Sequence, residues 1–311
     1  MNDALSSVLD MLRLQSAVYF GADFGPGWGM DVPADSFASF HLVVAGECVL
    51  QSEQQHEPIQ LGAGDIVLFP RGGCHWLASS VDAIRVPGSQ VVGAHQQGTP
   101  LFSEAPVVTR LVCGHFELDR ELDHPLIAEL PEMVHIRDIE RRRVEWLASV
   151  SAMLMTEADS QLPGAAALVR RLAEALLVQV LRLHVEHRQH ERGFLAALGE
   201  PKIHQALNLI HANPGRDWTL ESLGREVGMS RSSFSQRFRE LVGTTATTYL
   251  TDWRLQHARQ MLRSSSLPLA AISQMVGYGS EAAFHRAFKR RFQLNPGAMR
   301  RAFRTSTAGE P

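Results

Sequence analysis

Apolar positions in the last third of the chain fall in a pattern that is written twice. Leu220, Leu223 and Val227 recur as Leu269, Ile272 and Val276, and each run ends on a Val-Gly pair. Two phenylalanines four residues apart follow each time, Phe234 with Phe238 and Phe284 with Phe288. The Val-Gly pairs lie 49 residues apart and the Phe pairs 50, so the second copy carries one extra residue in its turn. The i, i+4 spacing puts both rings on one helix face, and a glycine can close the preceding helix in a left-handed conformation. The pattern predicts two helix-turn-helix units. Between them, Ala246 to Arg263 has Tyr249, Leu250, Trp253, Leu255, Ala258 and Leu262 at helical spacing and contains neither Gly nor Pro. This predicts a connecting helix of about 27 Å.

Upstream, the period changes. Ile139 to Thr156 and Ala165 to His190 carry apolar residues at helical spacing around a Ser160-Gln-Leu-Pro-Gly164 break, which predicts a helical hairpin with a broad apolar face. From Phe37 to Val112 the runs are short and cut by turn residues: Phe40 to Val44, Cys48 to Gln51, Pro58 to Leu61, Ile66 to Phe69 and Thr109 to Val112. These read as antiparallel strands of a sandwich or small barrel. Residues 3–15 predict a short amphipathic helix, and Gly21 to Gly29 a loop. The expected fold is α+β: an N-terminal antiparallel β-barrel over residues 1–138, a helical hairpin over 139–192, and a C-terminal all-α domain over 200–304.

Charge separates these regions. The net charge is −3, yet residues 200–304 hold 16 Lys and Arg against 7 Asp and Glu, whereas residues 1–199 hold 14 against 25. A basic domain joined to an acidic one fits a nucleic-acid-binding module coupled to a separate folded partner. Three cysteines, Cys48, Cys74 and Cys113, form no pairing framework and point to a reducing compartment. With Asp3 and Asp10 near the start and no apolar run approaching 18 residues, a cytoplasmic protein is expected, with neither signal peptide nor membrane span.

The surfaces left outward by the Phe pairs carry Arg231, Ser232, Ser235, Gln236, Arg237 and Arg239 in the first copy. In the second they carry Ala282, His285, Arg286, Lys289 and Arg290. Hydroxyls, an amide and cations are the groups that reach base edges and phosphates in the major groove. On this basis Ser232, Ser235, Gln236, His285 and Arg286 are candidates for base readout, and Arg237, Arg239, Lys289 and Arg290 for phosphate contact. Glu281 is expected to support its helix N-terminus rather than meet DNA.

The segments Trp253-Arg-Leu-Gln-His-Ala-Arg259, Ile272-Ser-Gln-Met-Val-Gly-Tyr278 and Ala283-Phe-His-Arg-Ala-Phe-Lys-Arg290, continuing to Asn295-Pro-Gly297, closely resemble the DNA-binding domain of AraC/XylS-type transcription regulators. The resemblance covers residues 200–304. Three positions depart from that family's pattern: Gly224 for Ala, Ala246 for Pro, and Gln293 for Gly. Gly224 within a helix is expected to cost up to about 1 kcal/mol relative to Ala.

Gly64-Asp-Ile-Val-Leu-Phe-Pro70-Arg-Gly72-Gly-Cys-His75 resembles the second motif of the cupin barrel, and Phe40-His41 through Gly46-Glu47 a degraded first motif. The resemblance implies a cupin-like sensor domain whose nominal metal ligands are His41, Glu47 and His75. Either these hold a divalent metal or the histidines are barrel residues bonded to backbone. No other cofactor is implied. His41, Glu47, His75 and Trp76 are candidates for an effector site at the barrel mouth. Cys74, next to His75 and three residues from Arg71, is a candidate redox or electrophile site, because neighbouring cations favour thiolate. The alternative is a cysteine that is simply a small apolar residue.

These resemblances imply a sequence-specific DNA-binding regulator, not an enzyme, controlled by a small molecule or oxidant. Activation is the commoner mode in the resembling family. Double-stranded DNA, RNA polymerase and, through the hairpin, a second copy of the chain are the implied partners. The competing reading is a cupin metal enzyme fused to a DNA-binding domain.

Overall fold

The structure, a computed structural model, describes residues 3–12, 15–35, 37–117, 124–137, 145–158, 160, 162–187 and 193–307. The chain forms two compact units, one built from residues 13–120 with 130–187, the other from 1–12, 121–129 and 188–311. Helix α1 (Ala4–Leu12) opens the chain and belongs to the second unit.

The first unit is a curled antiparallel sheet organised around one strand. After β1 (Gln15–Phe24) and β2 (Gly29–Val32) comes β3 (Ala38–Ser52), which pairs through its first half with β5 (Ile66–Phe69) and β8 (Thr109–Glu117). Its second half pairs with β4 (Ile59–Gly62) and β6 (His75–Ala78). β1 extends the sheet beyond β8, β9 (Val134–Ile136) beyond β5, and β2 beyond β6. β7 (Val86–Pro87) runs parallel to β2 and leads into helix α2 (Gly88–Gln96). The interior is apolar, with Phe24 stacked on Trp28 at 4.6 Å beside Leu50, Val67 and Phe69. Trp28 donates its indole N–H to Thr109 Oγ1 at 3.1 Å, and Thr109 donates to the Glu47 carbonyl at 2.7 Å, so these two buried side chains are paired.

Two runs expected as separate strands are thus one, because a register shift between Val43 and Ala45 carries the strand through the intervening polar residues. β1 replaces much of the expected loop over Gly21 to Gly29. Its Gly21, Ala22 and Asp23 have little strand propensity, and the ladder to β8 makes the strand instead. The hairpin forms as α4 (Glu145–Ala158) and α5 (Ala165–His187). Ala173, Leu176, Leu177 and Val180 are buried, and α5 packs on β1 and β9 of its own unit. The apolar face therefore finds its cover within the chain, leaving Met153, Leu162 and Leu168 exposed. His184 is buried in α5.

The second unit is all-α, with the expected two helix-turn-helix motifs. Besides α1 and α3 (Pro125–Ala128) it contains α6 (Phe194–Gly199), α7 (Pro201–Ala212), α8 (Leu220–Glu226), α9 (Arg231–Val242) and α10 (Ala246–Ser264). The second motif is α11 (Leu269–Met275) and α12 (Glu281–Phe292), followed by α13 (Pro296–Thr307). Both Phe pairs are completely buried. Gly228 and Gly277 take φ of 65° and 82° at the turns, as the repeat requires.

The linear boundaries expected at residues 138 and 192 do not coincide with these units. Residues 1–12 and 121–129 fold with the helical unit because they bury polar and apolar partners there. The Ala4 N–H donates to Asn208 Oδ1 at 2.6 Å and Val8 is fully buried. His124 packs edge-on against Phe194 at 4.7 Å. Residues 139–192, to the extent described, belong to the sheet unit.

Gly224 also reads differently in three dimensions. A Cβ at this position would stand 2.9 Å from the Met229 carbonyl oxygen and 3.5 Å from Phe234 Cβ, so the glycine lets α8 approach the turn and α9. Gly224→Ala is expected to lower, not raise, the denaturant midpoint, because a backbone clash of this kind costs about 1 kcal/mol or more and outweighs the gain in helix propensity. A variant more stable than the parent would reject this.

Candidate nucleic-acid interface and ligand cavity

Each recognition helix is started by a serine. Ser230 Oγ accepts from the Ser233 N–H and Ser280 Oγ from the Ala283 N–H, both at 3.2 Å. The Gly-to-serine step is one residue longer in the second copy, where the extra residue predicted from the repeat is accommodated. Glu281 is the first residue of α12 rather than its cap, and lies 3.4 Å from His285 Nε2.

With the phenylalanines inward, Arg231, Ser232, Gln236, Arg237 and Arg239 are exposed on α9 and Ser235 is half-buried. On α12, Ala282, Arg286, Lys289 and Arg290 are exposed and His285 is half-buried. Glu240 accepts from Gln236 Nε2 at 2.9 Å and meets Arg237 Nη1 at 3.5 Å. A carboxylate thus holds two of these side chains. Residue 129 lies close by: Glu129 and Gly193 border a groove with Ser232, Ser235, Gln236 and Arg239. The Glu129 carboxylate accepts from the Phe194 N–H at the start of α6.

A buried polar chain joins α3's cap to the helix between the motifs. His124 Nδ1 accepts from the Leu126 N–H at 3.1 Å, so its proton is on Nε2 and points to Tyr249 Oη at 3.1 Å. The Tyr249 hydroxyl then donates to His211 Nε2 at 2.7 Å. Burial pulls His124 down to about 3 and holds His211 well below its ordinary value, with the His124 charge adding to the second effect.

In the sheet unit, the candidate effector residues fall at two cavities, His41 lining one and His75 and Trp76 bordering another with Cys74. His41 and His75 come together, their Nε2 atoms 2.8 Å apart. Glu47 does not join them. The register shift between Val43 and Ala45 reverses the alternation of β3, turning Glu47 outward to solvent. Trp76 follows His75 in β6 and faces the other side, where Arg85 lies 4.5 Å over its ring. His41, Glu47 and His75 therefore do not converge, and among the described residues no three His, Cys, Asp or Glu groups form a metal-binding cluster. His41 uses opposite ring nitrogens for its two neighbours, which further disfavours a common ligand point. The residues do not fit a divalent metal.

Cys74 also departs from expectation. Burial raises its thiol first, followed by the charge and hydrogen bond of Glu53. The charges that reach it are carboxylates, not Arg71, so the expected activation is reversed.

The residues that motif reasoning missed lie on the opposing strands. Ser39 pairs with His115 and His41 with Cys113 across β3 and β8. Equal parity sends all four side chains to one face, and all four line a cavity of about 310 Å³ whose other walls are mixed, with Met30, Val32, Phe37 and Val92 beside Asp35, Ser89 and Gln96. Cys113 Sγ lies 3.0 Å from His41 Nδ1, and His75 Nδ1 lies 2.7 Å from the Gly73 carbonyl. A carbonyl only accepts, so neutral His75 carries its proton on Nδ1 and accepts at Nε2. His41 then donates from Nε2, and Cys113 S–H donates to His41 Nδ1. Burial pulls His75 down to about 4, partly offset by the Gly73 bond. His41 is held well below its ordinary value by burial and then by His75, and burial pushes the Cys113 thiol up.

Comparison with known proteins matches a family model described as Cupin over residues 3–186 and one described as Helix-turn-helix domain over residues 223–302. A putative AraC-like transcription regulator of Streptomyces antibioticus is 33% identical over 96% of this chain and 98% of its own length. The HTH-type transcriptional regulator AlkR of Acinetobacter baylyi is 30% identical, covering 94% of this chain and 97% of its own. The RCS-specific HTH-type transcriptional activator RclR of Escherichia coli is 30% identical, covering 97% and 98%.

Two outcomes follow from this geometry. Arg286→Ala is expected to weaken operator binding by about 1 to 3 kcal/mol and relax preference at one base position, whereas Lys289→Ala should weaken all sequences alike and lower the salt slope by about 1. Binding titrations across salt concentrations separate the two, and equal effects from both variants would contradict the assignment. Stability should also fall as pH drops from about 6.5 toward 4. His75, His124, His41 and His211 have folded pKa values below their unfolded ones, so the unfolded chain takes up protons that the folded chain refuses. His75 alone accounts for about 3 kcal/mol over that window. A denaturation midpoint that stays level between pH 7 and pH 5 would show that these imidazoles are not buried and neutral.

Proposed function

The chain belongs to the AraC-type transcription regulators with a cupin amino-terminal domain, and we propose that it activates transcription under the control of a small molecule or reactive species acting on its sheet unit. Binding of DNA by the two recognition helices is its core; the observation that supports it is the duplicated motif, with exposed cations on both copies and an amide and hydroxyls on the first. The control step is supported by the cavity with four polar side chains on one wall. One relative's name describes an RCS-specific activator. RNA polymerase is the partner through which activation proceeds. A second copy of the chain docks through the hairpin residues Met153, Leu162 and Leu168, which are exposed. The protein acts in the cytoplasm and has no enzymatic role; among the described residues no helix is long and apolar enough to cross a membrane.

The segment 124–129 is the link in this scheme. It belongs to the helical unit, yet the chain enters it from β8 and leaves it for β9. It meets Tyr249 through His124, and Phe194 through Glu129, beside the groove containing Ser235 and Arg239. A change in the sheet unit reaches α9 along this covalent route.

The test has two parts. Recovery of genomic fragments bound by the purified protein, at stated salt, is expected to give a few sites with two half-motifs about one helical turn apart. Only diffuse, salt-labile binding in every condition would reject specific regulation. Glu129→Gln is then expected to shift the ratio of basal to induced reporter transcription several-fold, with operator affinity of the uninduced protein altered in the same direction. A ratio unchanged from the parent removes the proposed link.

A further inference from the structure

The wall of the sheet cavity holds a thiol and a base in contact with it, and His75, behind the wall, orients the base, so that the parts of a reactive centre are present. Cys113 Sγ is 3.0 Å from His41 Nδ1, His41 Nε2 is 2.8 Å from His75 Nε2, and His75 is anchored 2.7 Å from the Gly73 carbonyl. An independent feature points to a ligand. Ser39 Oγ is on the same wall, its residue only 9% exposed, and the hydroxyl has no hydrogen-bond partner among the described residues. A buried hydroxyl left unmatched is costly, and a ligand oxygen in the cavity would satisfy it. The remaining lining is mixed, with Met30, Phe37 and Val92 apolar and Asp35, Ser89 and Gln96 polar. A compact molecule with an apolar body and one carbonyl oxygen matches the apolar side of the chamber and the Ser39 hydroxyl together.

We propose that this cavity is a covalent sensor site, in which the Cys113 thiol adds to a compact, mainly apolar α,β-unsaturated carbonyl compound. The inference rests on the effector-controlled reading above. The carbonyl oxygen accepts from Ser39, and Cys113 Sγ attacks the β-carbon. The thiol proton passes to His41 Nδ1 as the S–C bond forms and the C=C π bond breaks, its electron pair moving onto the enolate oxygen. His75 accepts from the His41 Nε2–H and steadies the transient imidazolium. The proton then returns from His41 to the α-carbon and the carbonyl re-forms. Sulfur and hydrogen have added across the double bond, and no oxidant or reductant is consumed. His41 is the base and His75 a positioning residue.

This mechanism makes reactivity run against exposure. Cys74 is the more accessible thiol and Cys48 is buried like Cys113, but only Cys113 has the His41 imidazole 3.0 Å from its sulfur among the described contacts. The full-length protein is treated with 2-cyclohexen-1-one, and adducts are located by peptide mass mapping over time. Cys113 is expected to label roughly tenfold or more faster than Cys74, with His41→Gln slowing Cys113 about 100-fold, the range of general-base assistance. Ser39→Ala should slow it less, while Cys74 labelling stays unchanged in both variants. The parent comparison needs no variant, and circular dichroism confirms that the variants fold. Labelling of Cys74 ahead of Cys113, reversible binding without a mass change, or equal Cys113 rates in parent and His41→Gln would each overturn the proposal. Operator binding is measured on the same samples. A Cys113 adduct that leaves it unchanged overturns the sensor role alone; absence of specific binding in treated and untreated protein strikes the regulator reading instead.

Discussion

The relation between the two recognition helices depends on one guanidinium. Arg254, at the middle of α10, donates from Nε to the Pro214 carbonyl at 2.7 Å and from Nη2 to the Arg216 carbonyl at 2.8 Å, gripping the loop that precedes the first motif. The same group lies against the turn of the second motif, where a Cβ on Gly277 would stand 2.7 Å from Nη2. Gly215 completes the contact, since a Cβ there would lie 2.5 Å from the Met275 carbonyl. The two copies are therefore joined by a rigid helix and by loops that touch directly. A lysine could not span both carbonyls with one planar fork. Because this geometry is fixed within the unit, the spacing of the DNA half-sites is a property of the protein rather than of a flexible linker.

A comparable constraint governs the sheet unit. β3 serves both halves of the curled sheet, and an uninterrupted alternation along its length would send the inward residues of one half outward in the other. The shift between Val43 and Ala45 resolves this, with Val43, Cys48 and Leu50 all inside. The cupin-like spacing from His41 to Glu47 is preserved in sequence but not in space. The same irregularity that keeps the core apolar removes the carboxylate from the metal position and leaves the imidazoles to bond to each other and to sulfur.

Much of this was legible in the sequence, for identifiable reasons. The helix-turn-helix pair was readable because it is local and repeated: its Phe pairs, turn glycines and outward polar residues follow from helix geometry alone. The cavity was not, because it depends on register. Ser39 and His41 alternate, as do Cys113 and His115, but nothing in the chain states that the two pairs face each other until β3 and β8 are aligned. Motif reasoning accordingly chose Glu47 and Trp76, which sit at the right intervals and on the wrong faces. The placement of residues 3–12 and 124–129 was hidden for a related reason. An amphipathic helix shows that it needs a partner, not which one, and the buried pairing of Ala4 with Asn208 spans 204 positions.

Both units contain a directed chain of neutral hydrogen bonds. In a chain running Cys113, His41, His75, Gly73, each ring has one donor and one acceptor, so every proton position follows from the carbonyl at the end. The second chain runs from the Leu126 amide through His124 and Tyr249 to His211 in the same manner. The first chain cannot lose a donor at one end and remain satisfied, because low-dielectric surroundings make an orphaned ring nitrogen costly; the second ends on His211 Nδ1, which has no hydrogen-bond partner among the described residues. Occupying the thiol of Cys113 takes the proton donor from His41 Nδ1. The ring must then change tautomer or partner, and His75 and the Gly73 carbonyl must follow. A local event in the cavity thus becomes a rearrangement several residues long, which charges exposed to water, screened and re-solvated individually, would not transmit.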